Sequence, residues 1–247
     1  MKLKVENIAF RYGDEPLFKG LSFDVAAGEF VSILGPSGCG KSTVLNLLAG
    51  ILTPESGGMY VDGAPIHGMS SHFAYMPQND MLFPWKTILQ NVCLHGRLHG
   101  RQREARARAL ELFPLFGLAG YESAWPGDLS GGMRQRAAFL RTALCDADIL
   151  LLDEPFGALD VISRSDMQDW LATMKQHLGR TCLLVTHDID EAIFLSDRIL
   201  VLGGRPAEIR SEHRIQAARR TRDWLYGQGE LRHRLHSSIR GLEAGPC

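Results

Sequence analysis

The 247-residue sequence predicts an α/β fold, a core of alternating strands and helices with a helical arm inserted in its middle. Three observations predict it. Ile149–Leu152 and Thr181–Val185 are apolar runs of strand length, as expected for parallel strands covered on both faces. A third short apolar run, residues 30–34, stops at a glycine-rich loop and leads into helical periodicity. Between about residues 87 and 145 the pattern changes from strands to helices, which places a helical block inside the alternating core.

Each element follows from its residues. Residues 3–12 and 21–26 alternate as half-buried strands, with turn material between them. Lys41–Gly50 reads as a helix because Val44, Leu45, Leu47 and Leu48 fall at helical spacing. Short strands are expected around 58–62 and 73–76. Arg101–Phe116 has high helix propensity and is broken near its end by Pro114. A helix runs from Ser130 to about Cys145, and another stretch, 160–178, separates the two apolar strands. The tail from Arg205 to Cys247 carries nine arginines against five acidic residues, a net of +4. It reads as a solvated amphipathic helical ending, with a membrane-surface or regulatory role as the alternative. The organisation expected is one domain over 1–205, its helical subdomain at about 79–145, and a short basic helical extension over 206–247, too small for a regulatory domain.

Composition excludes several classes. Apolar residues make up 45% of the chain and charged residues 22%, and 27 basic side chains face 28 acidic ones for a net charge of −1. That balance gives no field for gripping nucleic acid, so no nucleic-acid partner is expected. No stretch approaches the roughly 18 apolar residues that cross a bilayer. The N-terminus runs straight into alternating residues without a signal-peptide core. Five scattered cysteines form no CxxC pair and nine histidines no HExxH, which argues against zinc and disulfides and for reduced thiols in a cytoplasm.

The chemistry begins at Gly35-Pro36-Ser37-Gly38-Cys39-Gly40-Lys41-Ser42-Thr43, which matches GxxxxGK(S/T) between a strand and a helix. Such a loop wraps a polyphosphate with successive backbone N–H groups, so side chains must be absent where the chain approaches closely. Lys41 is placed to hold the β- and γ-phosphates and Ser42 to set its hydroxyl on Mg²⁺. A nucleotide with Mg²⁺ is therefore the expected ligand, on a loop that kinases, GTPases and many ATPases share. The strand Ile149–Leu152 ends in Asp153 and Glu154; Asp153 suits the Mg²⁺ shell and Glu154 the polarisation of an attacking water. Cys39 sits beside Lys41 at a helix N-terminus, where the lysine charge and helix dipole favour thiolate. The alternative is a thiol turned inward in a small-residue slot.

Leu129-Ser130-Gly131-Gly132-Met133-Arg134-Gln135-Arg136 decides among phosphate-loop enzymes. It is a serine N-cap with two glycines opening a long helix, a second anion-seeking terminus that makes sense if it meets the nucleotide of a second copy. With these motifs in order, roughly over residues 3–205, the chain resembles the ABC ATPase family, whose signature is LSGGxxxR and lies 23 residues before Asp153 here (counted from Ser130). The resemblance implies the ABC ATPase fold, a P-loop NTPase core with an antiparallel β subdomain and an inserted helical subdomain. It implies that Gln78 reaches Mg²⁺ and the attacking water, that Gly157–Asp160 forms the D-loop, that His187 is the switch histidine at the γ-phosphate, and that Tyr12 stacks on adenine. It also implies an ATP-sandwich homodimer in which Ser130, Gly131 and Gly132 of one copy face the phosphate loop of the other. The chain then hydrolyses ATP beneath transmembrane permease subunits, on the inner face of the plasma membrane, served indirectly by an extracytoplasmic substrate-binding protein. Asp128, where a longer Gln or Glu is commoner, and Gly157, where Ser is frequent, depart from the family pattern. Leu82–Thr87 with Asn91-Val92 resembles importers of the nitrate, sulfonate, taurine and thiamine-pyrimidine-precursor group, with an efflux or lipid-handling transporter as the alternative. Phe83 and Trp85 are expected either to dock the permease or to pack inside the arm.

Overall fold

The computed structural model describes residues 1–217 and 220–243. β1 (Leu3–Tyr12) alternates and buries Leu3, Val5, Ile8 and Phe10. β2 (Glu15–Val25) returns beside it through a tight turn in which Gly13 has φ +59°. This strand is longer than the 21–26 segment expected. Its first half is held by cross-strand pairing of Phe18 with Phe10, a contact between strands that residues 15–20 do not announce by themselves.

β3 (Phe30–Leu34) is buried along its whole length and leads through the glycine loop into α1 (Lys41–Leu48). β4 (Ser56–Val61) and β5 (Ala64–Pro65) complete an antiparallel sheet ordered β2-β1-β4-β5. β6 (Phe73–Met76) then opens the path to the helical arm: α2 (Ile88–Val92), α3 (Leu94–Leu98), α4 (Gln102–Leu112), a 3-10 turn at Pro126–Asp128 and α5 (Gly131–Ala143). The chain continues through β7 (Ile149–Asp153), α6 (Val161–Leu178), β8 (Thr181–Thr186), α7 (Ile189–Leu195), β9 (Arg198–Gly203), β10 (Glu208–Arg214), α8 (Arg222–Tyr226) and α9 (Gly229–Glu243).

The second sheet runs β10-β9-β3-β8-β7-β6, parallel from β9 to β6 with β10 antiparallel at the edge. Its apolar strands feed two cores. Ile149 and Leu151 face α1 and the antiparallel sheet, whereas Leu150 and Leu152 face the helices and the arm. This two-sided burial is why these strands read as unbroken apolar runs.

Two expectations are corrected at the C-terminus. The boundary at 205 falls inside the β9–β10 hairpin, so residues 208–214 are sheet and not helical extension. The polar alternation of an edge strand with one wet face disguises them. The tail is also docked rather than solvated. Arg222 bonds Asp169, Gln168 and the Ser165 carbonyl of α6 and lies over the Phe194 ring of α7 at 4.4 Å. Arg232 pairs with Asp190 at 2.7 Å.

Candidate functional site

The carboxyl ends of β3, β8, β7 and β6 line up along one sheet edge. Leu34 stands opposite Thr186, Asp153 opposite Val185, and Met76 opposite Leu152. The loops that follow carry Gly35–Gly40, His187, Glu154 and Gln78. Residues more than a hundred positions apart are therefore gathered at the edge where parallel sheets present their ligands.

In the loop after β3, Gly40 has φ +101°, and a Cβ there would meet Phe18 Cζ at 2.9 Å, so both conformation and space demand glycine. At Gly35 a Cβ would stand 2.3 Å from the Leu202 carbonyl oxygen of β9. The outer rim, Ser37 and Gly38, faces solvent, and a Cβ at Gly38 would touch nothing within 4 Å. Pro36 offers its carbonyl to Lys41. The ammonium of that buried lysine donates to Gly35 O at 3.0 Å and Pro36 O at 2.8 Å, with no carboxylate paired to it among the described residues. A buried cation held by carbonyl dipoles alone is an anion site in waiting.

Ser42 Oγ donates to Asp153 Oδ1 at 2.9 Å, and the Tyr75 hydroxyl donates to Oδ2 at 3.0 Å. Burial holds the Asp153 carboxyl above the ordinary range, and these two hydrogen bonds act against that rise. Tyr75 is pushed up by burial and then by the Asp153 charge. Ser42 Oγ and the Asp153 carboxylate, 2.9 Å apart, are hard oxygen donors of the kind that suits Mg²⁺. Glu154 follows at φ +42°, a left-handed backbone that costs a non-glycine residue about 1–3 kcal/mol. Its Oε2 lies 3.1 Å from His187 Nδ1. A Cβ built on Gly157 would stand 3.5 Å from Gln78 Nε2 and 3.7 Å from Glu154 Oε2, ordinary contact distances that place this loop beside both groups.

Tyr12 is 54% exposed at the end of β1, and its hydroxyl meets Thr43 Oγ1 at 3.3 Å. Its hydroxyl thus borders the phosphate loop, and its ring meets Phe10 edge-on at 4.9 Å. Ser130 caps α5 by accepting from Met133 N at 3.3 Å, and Gly131 and Gly132 open the helix. This turn lies against Leu159 of the 157–160 loop, whose Cδ2 would be 3.3 Å from a Cβ on Gly131. Asp128 accepts from Trp125 N at 2.9 Å, so its short side chain is spent closing its own turn.

Cys39 does not fit the thiolate expectation. Burial raises its pKa, and the Lys41 charge only partly opposes that rise. The sulfur packs inward against the core of α1 and the antiparallel sheet. Phe83 is half-buried and Trp85 is 67% exposed, their rings 5.1 Å apart on the surface of the arm. Sequence reasoning missed Tyr75, and it took Asn91 only as part of an importer-like pattern without its role in holding the loop. Asn91 is fully buried; it accepts from Phe83 N at 2.7 Å and donates to the carbonyls of Phe83, Lys86 and Thr87 at 3.1 Å. The visible signal, an asparagine on an otherwise apolar helix face, gains meaning only with the loop folded over it.

A family model described as ABC transporter matches residues 18–157. The taurine import ATP-binding protein of Yersinia pestis bv. Antiqua is 42% identical over 208 residues, 84% of this chain and 82% of that protein. The formylaminopyrimidine import ATP-binding protein of Halalkalibacterium halodurans is 41% identical over 243 residues, 97% of this chain and 95% of its own length. Among solved structures, a dimeric bacterial ABC transporter cassette superposes with a TM-score of 0.72 at 31% identity, covering 87% of this chain and 99% of that one.

Proposed function

This chain belongs to the ABC transporter family, and on that premise we propose how its site works and what the site serves. The chain is the ATP-binding, ATP-hydrolysing subunit of an importer. Backbone N–H groups of Ser37–Thr43 wrap the β- and γ-phosphates, and Lys41 exchanges its two carbonyl contacts for phosphate oxygens. The Tyr12 ring stacks on the adenine, a contact worth about 1–3 kcal/mol. Ser42, Asp153 and Gln78 hold Mg²⁺, which supplies positive charge to the phosphates when bound. Glu154 takes the proton of the attacking water, and His187, 3.1 Å from its carboxylate, orients Glu154 and faces the γ-phosphate.

Ser130, Gly131 and Gly132 lie at a helix terminus that shares no hydrogen bond with the 35–43 loop among the described residues. They complete the site of a second copy, so that two ATP molecules are sandwiched in a homodimer that closes on binding and opens on hydrolysis. Closure moves permease subunits docked on the arm at the exposed Trp85. Among the described residues no helix is long and apolar enough to cross a membrane. The chain works as a peripheral subunit on the inner face of the membrane, fed by an extracytoplasmic substrate-binding protein. Its cargo belongs with taurine-like sulfonates or formylaminopyrimidines.

The observation that carries this reading is the meeting of Lys41, Ser42, Asp153, Glu154 and His187 at one sheet edge. Glu154→Gln tests it. The amide keeps the shape but loses the base, so the variant binds MgATP, hydrolyses it at least a hundredfold more slowly (on the order of the general-base contribution) and elutes as a dimer on size exclusion with MgATP. A variant that binds ATP yet stays monomeric at millimolar nucleotide refutes the sandwich.

A further inference from the structure

Glu191, in the first turn of α7, is 3% exposed. The Thr186 hydroxyl donates to its Oε2 and accepts from Asp188 N at 3.0 Å. Glu191 N in turn donates to Asp188 Oδ1 at 3.1 Å. Glu191, Thr186 and Asp188 thus close a ring of hydrogen bonds around His187, fixing its neighbours on both sides. The imidazole itself is more than half exposed, and its one polar contact among the described residues is Glu154. Where His187 points is therefore set by the backbone at 186–188, and that backbone is set by the ring.

We propose that Glu191 is a positioning residue for ATP hydrolysis: its carboxyl holds the Thr186 hydroxyl, which in turn holds Asp188 N, and it thereby aims His187 at Glu154 and the nucleotide. This rests on the role given above to His187 and Glu154. The groups facing the carboxyl come from three elements. Thr186 and Asp188 flank the switch, Glu154 lies at the end of β7, and the Arg164 guanidinium reaches across from α6. Arg164 also donates to the Leu159 carbonyl at 3.0 Å, which ties the 157–160 loop to the same cluster. Glu191 Oε1 and Arg164 Nε are both buried without a partner among the described residues, so the cluster holds unspent polar capacity. Burial, reinforced by the Asp188 and Glu154 charges, pushes the Glu191 pKa up to about 8, while Thr186 and Arg164 oppose the rise. The clasp is thus a neutral acid at pH 7. With the pKa raised above the ordinary 4.5, its contribution is complete below that value and is lost as pH rises through about 8.

The test uses the purified full chain, comparing wild type with Glu191→Gln, Glu191→Ala and Thr186→Val for ATPase kcat and KM and for unfolding temperature across pH 6–9.5. Glutamine replaces the neutral acid and should retain at least half of the wild-type kcat at pH 7. Alanine and Thr186→Val should each lower kcat at least tenfold with KM within twofold. Wild-type unfolding temperature should fall, relative to Glu191→Gln, as pH rises from 6 towards 8 and level off above it, whereas wild-type kcat should fall relative to that variant as pH passes 8. The proposal is overturned if Glu191→Ala lowers unfolding temperature but leaves kcat untouched, or if the glutamine variant bends at the same pH as wild type. Should Glu191→Ala fail to fold, the glutamine and Thr186→Val variants decide by the same criteria. A wild-type chain that hydrolyses no ATP defeats the parent reading instead, and Glu154→Gln dimer trapping keeps the two failures apart.

Discussion

Replacing Asn91 gives a graded test of how the 83–87 surface loop is held. The asparagine amide has one acceptor, used by Phe83 N, and two protons shared among three carbonyls, so it makes about three bond-equivalents. At roughly 1 kcal/mol each, Asn91→Ala loses about 3 kcal/mol, with somewhat more for the stranded Phe83 N–H. For a domain this size that is a fall in unfolding temperature of about 6–12 °C. Asn91→Asp is nearly isosteric yet should be worse at neutral pH. Its carboxylate would face three carbonyl oxygens, and protonating it at pH 7 from an ordinary pKa costs about 4 kcal/mol. A carboxyl raised in this way contributes its stability below about pH 4 and loses it as pH rises, so the deficit against wild type should shrink on acidification. Urea unfolding at pH 7 and 5, with hydrogen exchange at the Phe83 amide, reads all three effects. If Asn91→Ala unfolds within 2 °C of wild type (under about 1 kcal/mol) with Phe83 N still protected, the loop is held by something else. If Asn91→Asp is milder than Asn91→Ala at pH 7, the donor role assigned to the amide is wrong.

Maleimide should label Cys39 no faster than Cys145 in the native chain, because burial raises the pKa of both thiols; rapid, ATP-sensitive labelling of Cys39 at neutral pH would restore the thiolate expectation. Arg222→Ala should cost about 2–3 kcal/mol, the worth of its partly exposed polar contacts and the ring stack, and Arg222→Lys should recover less than half of it. Equal unfolding of Arg222→Ala and the exposed-site variant Arg234→Ala would show that the tail is not docked through this residue.

Much of the site was legible because its chemistry is local. Gly35–Thr43 is a contiguous loop, Asp153 and Glu154 end an apolar strand, and Ser130 stands at the start of its helix. Contiguous residues carry their spacing with them wherever the chain folds. Helices cap where Ser, Thr and Asp precede them, and strands covered on both faces read as apolar runs.

What the sequence left open are relations between distant segments. Sheet order sets Tyr75 against Asp153 and Phe18 against Phe10 and beneath Gly40, and nothing in residues 15–20 or 73–76 encodes those partners. Cys39 looked like a thiolate from its sequence neighbours, Lys41 and a helix terminus, but its pKa follows from the core that closes over the sulfur. Nothing in the sequence singled out Glu191, and Glu208–Arg214 read as part of a solvated tail. Burial by other elements made the first a neutral clasp, and β9 made the second a sheet edge. By itself the sequence determined the fold class and which residues form the loop and acidic strand end proposed to meet the nucleotide, because short-range spacing and alternation suffice for those. The tertiary structure decided which polar groups are dry and which distant side chains touch, because desolvation and contact depend on what packs across a residue and not on what stands beside it in the chain.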